Sequence, residues 1–470
     1  MDRFDAIVIG TGQSGPFLAV RLARAGKKTA IIERKRFGGT CVNNGCIPTK
    51  TLVASARAIH VARRGAEFGF STGGEIRPDY ARIKARKDRI VREFREGVEK
   101  HLRSAPNLEV ILGHARFVAP HEVEVSGRRL TAPWIFVNVG GRAEKPQIRG
   151  LEGVASLDNS SMMDLEVLPK HLLVVGGSYV GLEFAQMFRR FGSEVTVVQR
   201  GDRLIPREDP PVSEEVRRIL EGEGIRVLLD AECLAAERRG EAIRLQVGAT
   251  DTRAVEGTHL LLATGRRPNT DDLGLADAGI ASDSRGYIPV DEELRTGVEG
   301  VWALGDCNGR GGFTHTSYND FEIVAANLLD GGRRRVSDRI AAYNLYVDPP
   351  LGRAGMTEAE ARKSGRPVLA GRVPMSRVGR AREMGETQGF LSVLVDAETS
   401  QIVGAAILGV SGDEVIHTIL DVMYARAPYT TIKNAMHIHP TVSEFLPTLL
   451  SDLEPLEPRI AVWGRPSSPS

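Results

Sequence analysis

Short apolar runs alternate with helical patterns along the first 335 residues of the chain. The segment FDAIVIGTGQSGPFLAVRLARAGKKTAIIE (4–33) predicts a strand at Ala6–Ile9, a glycine turn, a helix and a second strand at Thr29–Ile32. The segment HLLVVGGSYVGLEFAQMFRRFGSEVTVVQR (171–200) repeats this order. Two such units predict an α/β protein with two Rossmann-like dinucleotide-binding domains, each with a three-layer ββα arrangement.

The pattern changes from about residue 336. The stretch 389–409 alternates as a β-meander with a polar turn at Glu398–Gln401, and 413–426 has the three- and four-residue apolar spacing of a helix. This part contains no glycine motif, so we expect a separate C-terminal α+β domain. The final residues, 461–470, are rich in serine and proline, and their composition predicts a disordered tail.

The first glycine turn has the composition of a phosphate-binding loop. Gly10, Gly12 and Gly15 form GxGxxG, which permits a tight turn and the close approach of a pyrophosphate to a helix N-terminus. Glu33, at the end of the second strand, can accept hydrogen bonds from an adenosine ribose. The alternative is a glycine-rich turn in an unrelated parallel sheet, but the flanking strands and the acid favour dinucleotide binding.

The second glycine turn differs from the first in two ways. Gly176 and Gly181 keep the outer glycine positions, while Ser178 replaces the middle one. The strand after the helix ends at Arg200 instead of an acid, and a carboxylate there would repel a 2′-phosphate that an arginine can bind. The sequence therefore favours NADPH over NADH, unless Arg200 is only a solvated residue at a strand end.

Composition excludes several classes of function. The chain has 470 residues, 42% hydrophobic and 26% charged, with a net charge of +2 and no long basic block, so nucleic acid is not an expected partner. No apolar run reaches the roughly 18 residues that a membrane span needs. The N-terminus lacks a signal-peptide pattern, and we expect a cytoplasmic protein in which a persistent structural disulfide is improbable.

Two of the four cysteines stand five positions apart in GGTCVNNGCIPTK (38–50), and the segment TKTLVASARAIHVA (49–62) predicts a helix with Pro48 near its start. Cys41 and Cys46 could form a metal clip, a structural staple, or a dithiol that opens and closes during turnover. The staple conflicts with the expected compartment, and a metal site lacks a nearby histidine or second cysteine pair, so no metal is expected. The remaining cysteines, Cys233 and Cys307, are isolated, and we assign them no chemistry.

The ordered set of motifs resembles the pyridine nucleotide–disulfide oxidoreductases typified by glutathione reductase, dihydrolipoamide dehydrogenase and mercuric reductase. The resemblance is carried by GxGxxG, GGTCVNNGC, the second glycine turn, ATGRRPN (263–269), ALGD (303–306) and HIHPTVSE (437–444). It spans nearly the whole chain. It implies FAD in residues 1–150 and 266–335, NADPH in 151–265, and a homodimer formed through residues 336–460.

The resemblance also implies roles for individual residues. Cys46 would lie against the flavin as a thiolate, which a helix N-terminus favours, and Cys41 would be the interchange thiol that attacks the substrate. Lys50 would contact FAD with Glu183 as its partner. Tyr179 would cover the empty nicotinamide pocket, although it could instead be a packing residue at the start of a helix. Further cofactor contacts are expected at Gly39, Thr40, Gly140, Gly265 and Asp306, the last toward the polyol chain of the flavin.

His439 and Glu444 complete the machinery that the resemblance implies. Thiol–disulfide interchange releases a poor leaving group, which a histidine with a near-neutral pKa can protonate. A carboxylate can orient that imidazole. In relatives the histidine reaches the interchange cysteine of the opposite subunit, which implies an obligate homodimer.

The electron acceptor is the least determined part of the sequence reading. We expect a small-molecule disulfide or oxidant. Mercury is disfavoured because no cysteine follows Cys307, and the NAD preference of dihydrolipoamide dehydrogenase conflicts with Arg200. The loops are most similar to bacterial flavoprotein reductases of reactive-chlorine stress, which are credited with reducing hypothiocyanous acid or metal ions. A flavin-only diaphorase or transhydrogenase and a non-enzymatic redox sensor remain alternatives.

Overall fold

A computed structural model describes residues 1–248 and 252–456. Its first sheet is parallel and five-stranded, and the predicted strand Ala6–Ile9 lies at its centre with every residue buried. Uninterrupted apolar strands of this kind are typical of a parallel sheet covered on both faces. In order across the sheet, the strands are Val301–Ala303, Trp134–Val137, Ala6–Ile9, Thr29–Glu33 and Leu108–Leu112.

Different layers cover the two faces of this sheet. Helices Gly15–Arg24 and Thr314–Leu329 bury Val8 and Phe136 on one face. On the other face, a four-stranded sheet packs against Ile7 and Ile135. Its strands are Asp2–Arg3, Arg128–Thr131, Glu122–Val125 and Ala115–Ala119. The predicted three-layer ββα arrangement is therefore confirmed for the first nucleotide-binding unit.

The second unit repeats these three layers. Helices Tyr179–Phe191 and Pro210–Gly222 cover one face of a parallel five-stranded sheet, and a three-stranded antiparallel sheet covers the other. The parallel strands are, in order, Ser156–Leu157, His259–Leu262, His171–Val175, Glu194–Val198 and Arg226–Leu228. The antiparallel strands are Cys233–Arg239, Ala242–Val247 and Arg253–Gly257.

The C-terminal unit is built on one antiparallel sheet. The predicted meander is confirmed as strands Phe390–Asp396 and Ile402–Leu408, and the predicted helix as Gly412–Tyr424. In order, the sheet contains Ala342–Leu345, Leu351–Gly355, Ile402–Leu408, Phe390–Asp396, Val368–Pro374 and Glu454–Pro455. Further helices of this unit are Glu358–Ser364, Gly379–Glu383, Thr430–Lys433 and Leu446–Leu449.

Short strands Gly141–Ala143 and Arg266–Pro268 pair antiparallel where the chain leaves the first unit and returns to it. The remaining helices are Gly39–Asn44, Cys46–Arg63, Tyr80–Arg103 and Ser161–Asp164. None of the described helices is long and apolar enough to cross a bilayer. The domain boundaries given above stay predictions, and the predicted tail 461–470 lies outside the described residues.

Candidate active site

Close contacts leave no room for a side chain at any of the three glycines of the first turn. A Cβ on Gly10 would lie 2.3 Å from the carbonyl oxygen of Asn138, and Gly10 has a φ of +104°. A Cβ on Gly12 would lie 2.8 Å from Asn138 Oδ1, and one on Gly15 would lie 2.2 Å from the Gly10 carbonyl oxygen. Helix Gly15–Arg24 therefore begins directly against the sheet, and the turn presents backbone with little side-chain cover, as a pyrophosphate requires.

Glu33 lies beside this turn and is fixed by four donors. Its Oε2 accepts from the amide and hydroxyl of Thr11, and its Oε1 accepts from the amides of Lys35 at 2.7 Å and Arg36 at 3.2 Å. The carboxylate is thus held rigidly at the end of the second strand, where a ribose hydroxyl could reach it. The glycine cradle and this carboxylate fit the adenosine end of FAD.

A second tight turn packs against the first. Gly39 has a φ of +58°, and a Cβ there would lie 2.8 Å from the Cα of Gly12. Thr40 follows it in helix Gly39–Asn44, which the sequence did not predict. A Cβ on Gly45 would lie 2.8 Å from the carbonyl oxygen of Thr40, so this glycine permits the break before the next helix. The two turns bring the cysteine segment next to the predicted pyrophosphate site.

Cys41 and Cys46 belong to consecutive helices and are both half-buried free thiols. Cys46 is the first residue of helix Cys46–Arg63, which we call the redox helix. It begins three residues earlier than the predicted start at Thr49. The sulfur of Cys46 lies 3.0 Å from Thr314 Oγ1. The pair is thus at a helix N-terminus, where a thiolate is favoured.

The environment separates the acidities of the two thiols. A hydrogen bond from Cys41, together with Thr314 and the charge of Lys50, lowers the pKa of Cys46 to about 6 despite burial. The same bond to Cys46 and burial raise the pKa of Cys41 well above its usual value. The surroundings therefore favour the negative charge of the couple on Cys46 and the proton on Cys41.

Lys50 lies one turn along the redox helix and contacts Glu183. Its Nζ donates to the two carboxylate oxygens at 2.9 and 2.8 Å and lies 4.6 Å from the centroid of the Tyr346 ring. Glu183 is buried on helix Tyr179–Phe191 and also accepts from the amide of Tyr346 at 3.0 Å. The ion pair therefore joins the redox helix to the second nucleotide-binding unit.

The second glycine turn has the same tight geometry as the first. A Cβ on Gly176 would lie 2.3 Å from the Ala263 carbonyl oxygen, and one on Gly181 would lie 2.1 Å from that of Gly176. Ser178 has a φ of −117°, which any residue can adopt, so a middle glycine is not needed for backbone conformation. Gln199 Oε1 accepts from the Gly177 amide at 3.0 Å, a role like that of Glu33 toward Thr11.

Arg200 follows Gln199 and is exposed, with no hydrogen bond or ion pair to any other described residue. Gln199 contributes no negative charge to this turn, and Arg200 adds a positive one. A phosphate beside this strand end would therefore meet a cation without having to displace a carboxylate. The arrangement fits the sequence prediction for NADPH, which stays a prediction.

Tyr179 begins the helix after the second turn and is enclosed by aromatic rings. It lies edge-on to Phe313, with centroids 5.9 Å apart, and to Tyr343, with centroids 5.5 Å apart. Burial raises the pKa of its phenol. The ring therefore lies between the two nucleotide-binding units and the C-terminal unit.

Three predicted cofactor contacts lie beside the paired short strands that join the two units. Gly140 and Gly265 each precede one of these strands, and Asp306 contacts Arg266. Gly140 has a φ of +64° and Gly265 a φ of +151°. Asp306 lies 3.4 Å from the guanidinium of Arg266, at the edge of a cavity of about 500 Å³. The turn that carries Asp306 is held by the buried carboxylate of Asp320, which accepts from the Gly305 amide at 2.6 Å. The carboxylate of Asp306 is thus placed where a polyol could bind.

His439 Nδ1 lies 2.8 Å from Glu444 Oε2, so the predicted pair is in contact. The imidazole is 78% exposed and Glu444 is 19% exposed. Its neighbours Met436 and Ile438 are 98% and 80% exposed. Such apolar exposure beside a histidine–carboxylate pair is typical of a surface that another molecule covers. The predicted approach of His439 to Cys41 of a second subunit stays a prediction.

The family model for pyridine nucleotide-disulphide oxidoreductases matches residues 4–320, and the model of that family's dimerisation domain matches residues 341–450. The chain belongs to this family. It is an oxidoreductase of the flavoprotein class that uses FAD and a pyridine nucleotide, and it carries the family's dimerisation domain. Among the described residues, no group of three or more histidine, cysteine or acidic side chains could hold a metal ion.

Individual members of the family are similar over nearly their whole length. The probable pyridine nucleotide-disulfide oxidoreductase RclA of Escherichia coli is 35% identical over 96% of this chain and 99% of its own. A mercuric reductase of Lysinibacillus sphaericus is 32% identical over 93% of this chain and 82% of its own. A dihydrolipoyl dehydrogenase of Thermus scotoductus is 33% identical over 95% and 96%.

Solved structures agree with these similarities. The Cu(II) complex of the HOCl-induced flavoprotein disulfide reductase RclA from Escherichia coli superposes with a TM-score of 0.88. It is 35% identical over 96% of this chain and 99% of its own. A second structure of the HOCl-induced flavoprotein disulfide reductase RclA from Escherichia coli superposes with a TM-score of 0.87. The fold of this oxidoreductase is therefore that of RclA.

Sequence reasoning missed several residues that contact the predicted site residues. Asn138 Oδ1 accepts from the amide of the first glycine turn's last glycine, and Thr314 contacts Cys46. From the C-terminal unit, Tyr343 contacts Tyr179 and Tyr346 contacts Glu183. The local sequence around Thr314 gives no sign of a contact with a sulfur 268 positions away, so this contact could not be predicted.

Proposed function

We propose that this chain passes electrons from NADPH through FAD to a Cys41–Cys46 disulfide and on to an oxidised small molecule. The observation that carries the proposal is the cysteine couple. Cys46 is the first residue of the redox helix, its sulfur lies 3.0 Å from Thr314 Oγ1, and the interaction with Cys41 lowers its pKa to about 6. A buried structural pair would not need one thiol held as a thiolate. A dithiol that is opened and closed in each turnover does need it.

Bound FAD would accept a hydride from the nicotinamide and deliver an electron pair to the disulfide. The chain's own residues prepare both sides of that transfer. Tyr179 encloses the nicotinamide side, and Lys50 brings a positive charge close to Cys46. Glu183 fixes the ammonium group of Lys50 at 2.8 Å. The charge of Lys50 stabilises the thiolate that forms when the S–S bond accepts two electrons.

The reduced pair would then act on the acceptor in two balanced steps. Neutral His439 of the second subunit would take the proton of Cys41 as its sulfur attacks a disulfide sulfur, and would then give that proton to the leaving thiolate. Cys46 then attacks Cys41 and releases the second half of the substrate, which restores the intramolecular S–S bond. Glu444, 2.8 Å from the imidazole, orients His439 and stabilises its charged form.

Assembly and location follow from the same proposal. A single chain leaves His439 exposed and paired only with Glu444 in the described region, so the base would reach a cysteine pair only in a homodimer. We propose that this homodimer is cytoplasmic, where NADPH is available and structural disulfides are rare.

The acceptor proposed first is an oxidant of the reactive-chlorine type or a low-molecular-weight disulfide, on the similarity to the HOCl-induced reductase. Lipoamide is a second candidate, because the His439–Glu444 pair suits a cyclic disulfide substrate as well. Mercury is less favoured, since the sequence has no cysteine beyond Cys307.

An acceptor panel separates these candidates. Purified holoenzyme is supplied with NADPH, and with NADH in parallel, and offered hypothiocyanite, glutathione disulfide, lipoamide, Hg(II) and quinones. We expect rapid NADPH oxidation with one thiol-reactive acceptor and its loss on thiol alkylation after NADPH reduction. Turnover of quinones alone that survives alkylation would support a flavin-only diaphorase and would contradict the dithiol route.

A further inference from the structure

The ring of Tyr179 is held by two aromatic walls from different parts of the chain. Phe313 comes from the loop before helix Thr314–Leu329, and Tyr343 from strand Ala342–Leu345 of the dimerisation domain. Both meet Tyr179 nearly perpendicularly, at 86° and 82°. Phe313 and Tyr343 stack on each other with centroids 5.5 Å apart and planes 9° apart. The two walls therefore form one continuous surface.

The hydroxyl end of Tyr343 is anchored in a buried charge network. Its hydroxyl donates to Glu208, whose side chain is 0% exposed and which also accepts from the guanidinium of Arg353. Arg353 reaches Asp209 at 3.2 Å, and Asp209 accepts from the amide of Glu358 at 3.1 Å. Breaking a buried network of this kind is costly because it leaves an uncompensated charge. Tyr343 is thus fixed at its hydroxyl by charge and at its ring by stacking.

We propose that Tyr343 is a positioning residue that holds the Tyr179 ring in its resting place over the nicotinamide pocket. The inference rests on the proposed function, in which Tyr179 covers that pocket. A nucleotide must displace the ring before it can bind, so its apparent affinity is reduced by the fraction of molecules whose ring is displaced. Weakening the wall should therefore tighten NADPH binding.

The test is Tyr343→Leu in the FAD-bound enzyme, measured by anaerobic stopped-flow reduction with increasing NADPH. Because an edge-on aromatic contact is worth roughly a factor of five in an equilibrium, we expect the apparent Kd for NADPH to fall about fivefold. The limiting reduction rate should be unchanged, since hydride transfer occurs after the ring has moved. A residue with only a structural role would give lower FAD content or weaker NADPH binding, the opposite sign.

Tyr80→Leu is the matched control. Tyr80 is also half-buried, lies 6.0 Å from Phe188 and 6.1 Å from Phe191, and donates its hydroxyl to the Leu165 carbonyl oxygen at 3.2 Å. The same substitution there should leave the apparent Kd for NADPH unchanged.

Further variants make the outcome decisive. Tyr343→Phe keeps the ring but loses the hydroxyl, which donates to Glu208 and also interacts with the hydroxyl of Tyr179, and it should tighten NADPH binding by about twofold. In a Tyr179→Leu background, Tyr343→Leu should add no further change, because the ring that it positions is gone.

An unchanged or raised apparent Kd in Tyr343→Leu, with normal FAD content, would overturn the inference. If Tyr343→Leu does not bind FAD, Tyr343→Phe decides by the same criterion. Failure of NADPH to reduce the wild-type flavin would instead refute the proposed function.

Discussion

Thr314→Val tests how the structure sets the acidity of the cysteine couple. Thr314 Oγ1 lies 3.0 Å from the sulfur of Cys46, and valine keeps the shape of the side chain while removing the hydroxyl. A hydrogen bond donated to a thiolate stabilises the charged form and lowers the pKa, so its removal must raise the pKa. The direct hydrogen bond from Cys41, which is the largest cause of the lowered pKa, stays in place.

The size of the effect follows from the strength of such a bond. Hydrogen bonds to charged groups contribute about 1.5 kcal/mol at the low end of their range, and sulfur is a weak acceptor, so we expect a rise of about one pKa unit. The apparent pKa would move from about 6 to about 7, and the thiolate fraction at pH 7 would fall from about nine-tenths to about half. At pH 8 the two enzymes would differ by less than about a tenth.

The assay is a pH titration of the NADPH-reduced enzyme, followed by the long-wavelength absorbance that a thiolate beside the flavin produces. Thr51→Val is the control. Thr51 lies on the same helix as Cys46, but its hydroxyl donates to the Ile47 carbonyl oxygen and not to the sulfur. An unchanged midpoint in Thr314→Val, or an equal shift in Thr51→Val, would refute this explanation of the acidity of Cys46.

Two further substitutions test the proposed contact of Arg200 with NADPH and the proposed acid–base role of His439. Arg200→Glu should raise the KM for NADPH at least about tenfold and that for NADH much less, because a charge-assisted bond to the 2′-phosphate is replaced by repulsion. Arg253→Glu, at another exposed arginine, should change neither, and an unaltered NADPH-to-NADH ratio in Arg200→Glu would exclude the assigned contact. His439→Gln should lower turnover with a disulfide about 100- to 10,000-fold while leaving flavin reduction by NADPH intact. Equal losses in His439→Gln and His437→Gln would show that the imidazole of His439 has no special role.

The parts of the molecule that the sequence predicted are those determined by neighbouring residues. The two glycine turns, the meander at 389–409 and the start of a helix near Pro48 follow from local spacing and backbone conformation. The contact between Lys50 and Glu183 joins residues 133 positions apart, and it was expected only from the family resemblance. Periodicity alone contains no information about such a pair.

The residues that the sequence did not reveal approach the site from distant elements. Tyr343 and Tyr346 lie in and just after an ordinary short strand, and their contacts with Tyr179 and Glu183 depend on how the dimerisation domain packs. The helix Gly39–Asn44 was missed because glycine and asparagine disfavour helices, and close packing against Gly12 outweighs that propensity. Local sequence therefore predicted the two glycine turns better than the residues that surround the cysteines and Tyr179.

The central claim is that Cys41 and Cys46 store an electron pair between the flavin and the acceptor. Anaerobic reductive titration of the wild type and of Cys46→Ser, with matched FAD content, measures this storage directly. The account predicts that the wild type takes up one two-electron equivalent per subunit more than Cys46→Ser before reduction is complete. Equal uptake by the two proteins would contradict it.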